Sequence, residues 1–146
     1  MSLPRVVSVA PDGAVSDYIS LSYEARLLRR KRLVTASGMP VLADLAETVS
    51  LAHGDRLVLE DGGRIEVRAA PEALLAVTGD LPRLAWHIGN RHTPCQIEAR
   101  RLLIQRDHVL AAMLVGLGAA VREVEEPFTP EGGAYGHGRT MGHSHG

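Results

Sequence analysis

The stretch "ALLAVTGDLPRLAWHIGNRHTPCQIEA", Ala73 to Ala99, carries the reading of the fold. "ALLAVTG" is a short run, apolar from Ala73 to Val77 and ending on glycine, a candidate buried strand. Asp80 follows as a helix N-cap, with Pro82 tolerated in the first helical turn. Leu81, Leu84, Ala85 and Ile88 then recur at i, i+3, i+4 and i+7, the stripe of a helix packed on one side. Continuing that row by four reaches His92. Pro94 forbids further helix and biases Thr93 toward extended backbone. "CQIEA" alternates, which predicts a strand with Cys95, Ile97 and Ala99 on one face.

Downstream the same grammar repeats. "RRLLIQR" reads as a strand, and Asp107 caps a second helix whose stripe is Leu110, Met113, Leu114 and Leu117. Gly118 is placed to end it, and "AAVREVEE" is the last strand. The order β-α-β-β-α-β predicts a ferredoxin-like split βαβ domain, with two helices covering one face of an antiparallel sheet. Upstream, the chain reads as strands and turns. "RVVSV" ends in "APDG", and "RLVT" (Arg32–Thr35) ends in "SGMP". "DRLVLEDGGRIEVRA" is a hairpin: Leu57 and Leu59 alternate with Val58, Asp61-Gly62-Gly63 turns, and Ile65 and Val67 return on one face. From Pro127 the chain is rich in glycine and histidine and too poor in apolar residues to fold alone. The fold class expected is therefore α+β. It comprises a small all-β domain over 1–68, a ferredoxin-like domain over 69–130 and a flexible histidine-containing tail over 131–146.

Composition removes several classes of function. Aromatic residues are only 3%, too few for platforms that stack nucleobases, and the formal charge of −1 gives no field for nucleic acid or an anionic membrane. No run of about 18 apolar residues is present, so no membrane span is expected. The N-terminus lacks the apolar core of a signal peptide, and one cysteine cannot staple a fold; both fit a reducing cytoplasm. The cluster "RLLRRKR" (Arg26–Arg32) reads as a solvated strand edge or a protein-docking patch rather than a phosphate track. No GxxxxGK[ST], GxSxG or HExxH pattern occurs, and no nucleophile has a partner at a diagnostic spacing, so an enzyme is not expected.

The seven histidines remain. Imidazole suits nickel, copper and zinc. His143 and His145 flank one serine, so both can reach a single ion, and His137 can loop back to them. His92 lies beyond the helix stripe, where free carbonyls and partial negative charge favour a cation. One imidazole holds a metal poorly. A two-fold dimer would place His92 beside its copy, making it a half-site whose remaining positions the tail histidines fill. The competing reading packs His92 in the core. His108, in a first helical turn, is a weaker ligand candidate; His87 lies off the stripe, toward solvent; His53 in "AHGD" reads as a turn residue. Cys95 is a possible soft ligand but fits better as a buried, inert thiol. A carrier or buffer for a divalent metal (nickel, copper or zinc) competes on these grounds with a protein- or RNA-docking module.

The segments "WHIGNRHTPCQIE", "DHVLAAML" and "EPFTPEGGAYGHG" resemble, in order and spacing, those of the UreE family of urease accessory proteins. "RRKRLVTASG", "LAHGDRLVLEDG" and "VRAAPEALLAV" extend the likeness, more loosely, into the first half. The resemblance implies an N-terminal β domain that engages protein partners and a ferredoxin-like metal-binding domain. It implies a homodimer that pairs the GNRH histidine, here His92, with further ligands from tail histidines, here His137, His143 and His145. Nickel is the implied cargo. The urease-activating GTPase UreG and the apo-urease complex are the implied partners. Where some relatives carry a histidine just before "DHV", this chain has Arg106, which bears on any auxiliary site near His108.

Overall fold

The computed structural model describes residues 2–132, so the expected ligands His137, His143 and His145, and nearly all of the expected tail, lie outside the described residues. The chain divides between Ala70 and Pro71 into two compact units. It is mixed α+β, with strands predominating and two helices.

The first unit is a six-stranded sheet. β1 (Arg5–Ala10), β2 (Asp17–Leu21), β3 (Leu27–Val34), β4 (Pro40–Ser50), β5 (Arg56–Leu59) and β6 (Arg64–Ala69) lie in the order β2-β6-β5-β1-β4-β3. The β5–β6 hairpin forms as its sequence dictates. Leu57, Leu59, Ile65 and Val67 all enter the core. Gly62 takes a φ of 90°, and the Asp61 side chain accepts from the N–H of Gly63 at 2.8 Å. β6 runs past Arg68 to Ala69, because β2 pairs alongside it in parallel as far as Leu21↔Ala69. Two strands had no counterpart in the pattern reading, β2 and the eleven-residue β4. In β4, Val41, Ala43 and Leu45 do alternate inward, but alanine and acidic residues are poor strand formers and hide the pattern. The strand read as Arg32–Thr35 is the end of a longer one, Leu27–Val34, which lies at the sheet edge. Arg26 departs from the edge reading. It is buried, with Nη1 donating to the Leu21 carbonyl at 2.9 Å. Asp17 ties β2 to the β3–β4 turn, accepting from the hydroxyls of Ser37 and Thr35, each at 2.5 Å.

The second unit runs β7 (Pro71–Thr78), α1 (Leu81–Asn90), β8 (Gln96–Ile97), β9 (Leu102–Gln105), α2 (His108–Gly116), β10 (Ala120–Pro127). Its sheet order is β10-β7-β9-β8, every neighbour antiparallel, so each helical connection skips one strand. Leu84 and Ile88 of α1 and Leu110 and Leu114 of α2 pack with Leu75, Val77, Leu102 and Ile104. Leu74, Leu103 and Phe128 are fully buried outside that cluster. The alternation expected of Cys95, Ile97 and Ala99 is not realised. β8 is a two-residue edge strand, Cys95 packs against the helix-side core, and Ile97 is 52% exposed. An edge strand that short has no second layer to cover an outward side chain. Among the described residues no helix is long and apolar enough to cross a membrane.

Candidate metal centre

α1 and α2 begin and end by the same devices, and their one difference falls on His92. Asp80 caps α1, its side chain accepting from the N–H of Arg83 at 3.4 Å. Asp107 caps α2, accepting from Val109 at 2.9 Å and Leu110 at 3.1 Å. At the C-terminus of α2, the N–H of Gly118 bonds the carbonyl of Val115 and that of Ala119 bonds Leu114, each at 3.0 Å. This is a Schellman motif with glycine in the left-handed position, φ 91°. At the C-terminus of α1, His92 bonds Gly89 at 2.9 Å and Thr93 bonds Ile88 at 3.4 Å. The motif is the same, but the left-handed residue is His92, φ 56°, the only non-glycine with positive φ among the described residues. The row Leu84–Ile88 therefore does not continue helically to His92, because the helix ends at Asn90. The core reading of His92 fails with it: the residue is exposed.

Residues close to His92 in the chain are held by several contacts. Arg91 reaches α2, its Nε 3.1 Å from the Met113 sulfur. His87 is half-buried rather than solvated, its ring edge-on to Trp86 with centroids 5.0 Å apart. After Pro94, the N–H of Thr129 donates to the Gln96 side-chain carbonyl at 2.8 Å, and the N–H of Glu131 donates to the Cys95 carbonyl at 2.9 Å. The start of the C-terminal segment is thus bonded three residues from His92. Nothing in local sequence announces this attachment, since it joins positions more than thirty residues apart. Cys95 is half-buried, and burial, and secondarily the Glu131 carboxylate, push its thiol up to about 11, which lowers its thiolate fraction.

The other candidates separate from this point. His108 is exposed in the first turn of α2. Arg106, at the position of the auxiliary histidine, donates instead to the carbonyls of Leu74 at 3.1 Å and Val124 at 3.0 Å, fastening the β9–α2 connection to the sheet. His53 belongs to the first unit and is a turn residue, its Nδ1 accepting from the N–H of Ala69 at 3.0 Å. Among the described residues no three of His, Cys, Asp or Glu gather into a metal-holding group. His92 therefore offers a single exposed imidazole on a left-handed turn, able to donate one bond to a borderline cation.

The sequence could have disclosed the strained turn. A helix halted by Pro94, with its last glycine still inside the helix at Gly89, leaves a non-glycine to take the left-handed position. Residues held in that region cluster at functional sites, which makes His92 the candidate in this unit.

Comparison with known proteins agrees with this layout. The model for the N-terminal domain of UreE urease accessory protein matches residues 3–70, and that for its C-terminal domain matches residues 65–146. A urease accessory protein UreE of Ruegeria pomeroyi is 62% identical over 149 aligned positions, which cover 99% of this chain and all of the relative. Those of Rhodobacter capsulatus (61%) and Agrobacterium fabrum (52%) each cover 97% of this chain and 91% of their own length. These are accessory proteins, not enzymes. With one domain model matched in each half and relatives matched nearly end to end, this chain belongs to the UreE family of urease accessory proteins.

Proposed function

We propose that this protein, whose family acts in urease maturation, carries nickel(II) to the urease assembly complex as a cytoplasmic homodimer. The observation that carries the reading is the left-handed His92: an exposed imidazole at a position where α2 of the same unit uses glycine. Nickel is cargo. Its ligands are His92, the same residue of a second copy, and His137, His143 and His145. The bond from Glu131 to Cys95 supports the tail's part. His137 lies six residues beyond Glu131 and can reach at most about 20 Å from it. Tethering of that length raises the effective ligand concentration to about the millimolar range.

The dimer reading is supported by α2, which is apolar on nearly every side yet buries only Leu110 and Leu114. Val109 and Val115 on its outer side are 55% and 58% exposed, and Trp86 on α1 is 63% exposed. Helices apolar all round are normally buried, and a second copy covers this surface. Arg91 links the same helix to the His92 turn, so a two-fold contact there brings the two imidazoles near each other. The antiparallel β10-β7-β9-β8 order is read as the ferredoxin-like metal-binding fold, and the first unit as the part that docks UreG and the apo-urease complex. A carrier with few rigid ligands can release its ion, unlike a closed four-ligand cage.

Nickel titration by calorimetry tests this. The wild type is expected to take up about one tightly held ion per dimer. His92→Ala loses that event. Deleting residues 136–146 lowers affinity or stoichiometry while the dimer survives on a sizing column. Unchanged tight binding by His92→Ala refutes the half-site, and loss of the dimer on deletion makes the tail structural.

A further inference from the structure

We propose that the free edge of β3 is a docking site for an acidic, extended segment of a partner protein, added as a further strand of the first unit's sheet. The inference rests on the reading above only in assigning docking to that unit. β3 ends the sheet order and pairs with β4 on one side alone. Its pairing shifts register between Leu28 and Arg30, from Leu28↔Val49 to Arg30↔Asp44. The shift breaks the strand's inward alternation. Leu28 and Leu33 are buried, while Arg29, Arg30, Lys31 and Arg32 between them are all exposed.

Four cations in a row on an open edge need counter-charge. None of the ion pairs among the described residues includes them. The carboxylate directly across the ladder from Arg30, that of Asp44, is engaged by Arg5. The chain as a whole carries a net charge of −1, so the patch stands against the balance of the molecule. Charged side chains, lysine above all, guard an edge against mispairing. Four consecutive cations make the edge selective: it repels basic strands and admits acidic ones. Exposed ladder groups supply affinity by strand addition, and alternate acidic side chains supply register and specificity. Nucleic acid fits less well, because the edge has no aromatic side chain among these cations on which a base could stack.

The test uses the full chain and a fluorescein-labelled peptide of about ten residues alternating glutamate with valine or threonine. A second peptide is N-methylated at alternate residues so that it keeps its charge but cannot form a ladder. The wild type should bind the first peptide, with affinity falling as salt rises, and bind the methylated one at least tenfold more weakly. Replacing Arg30, Lys31 and Arg32 together by glutamate should weaken binding by about tenfold or more, the sum of three exposed ion pairs. Amide resonances of β3 should shift on binding. If the glutamate variant unfolds, the triple alanine variant serves, since all three side chains are exposed. Equal binding of the methylated peptide, unchanged binding by the variant, or tighter binding of a mixed-sequence single-stranded RNA each overturns the proposal. Nickel titration of the same variant separates the two ideas, because loss of peptide binding with intact nickel uptake is expected.

Discussion

Replacing His92 by glycine should stabilise the protein while abolishing the nickel site proposed for it. The ring is exposed, so its removal forfeits little packing. Its backbone, at φ 56°, sits where a β-carbon crowds the following carbonyl, a strain of about 1–2 kcal/mol for an L-residue. Glycine relieves that strain but adds unfolded-chain entropy, which offsets about 0.5–1 kcal/mol. The net gain is about 0–1.5 kcal/mol, centred near ~0.75 kcal/mol, and at that centre Tm rises by about 3–6 °C for a unit of this size. His92→Ala makes the contrast: it also removes the imidazole but keeps the strain, so its stability stays within about 0.5 kcal/mol of wild type. Calorimetric melts in chelator, at one protein concentration so that dimerisation is held constant, read the difference directly. The reasoning is refuted if the glycine variant melts at or below the alanine variant. The left-handed turn would then store no strain that glycine relieves, and would be no sign of function.

Two further outcomes follow from the carboxyl of Asp17 and the thiol of Cys95. The hydroxyls of Ser37 and Thr35, with backbone N–H groups, hold Asp17 down at about 2 from an ordinary 3.8. A depressed folded-state value means that its contribution is whole above about pH 4 and is lost as pH falls through about 2. Urea midpoints measured between those limits should fall more steeply for wild type than for Asp17→Asn, and parallel slopes would sink the account. Cys95, at about 11, should react with iodoacetamide at pH 8 about a hundredfold more slowly than an ordinary thiol, the ratio of thiolate fractions. Cys95→Ala should leave nickel uptake unchanged; rapid labelling, or loss of uptake, would make the thiol a ligand after all.

What could be read along the chain was what neighbours within one or two turns decide. The β5–β6 hairpin, the Asp80 and Asp107 caps, the inward rows of α1 and α2 and the glycine end of α2 depend on contacts a few residues long, and sequence states them openly. The likeness to UreE was legible for the same reason, as short segments kept in order. The tertiary structure decided the rest. β4 is a strand because β1 and β3 flank it, whatever its own propensity, and Ile97 faces solvent because no layer lies over it. Glu131 meets Cys95, and the cations of β3 lie bare, because distant strands are placed as they are. His92 stands between the two: sequence supplied the imidazole, the halt at Pro94 and the want of a glycine for the left-handed place, but the exposure of that turn beside Arg91 and Met113 follows from how α1 and α2 pack on the sheet. Hydrogen-bond registers and exposure are properties of the partners a residue meets, and those partners lie far away in the chain.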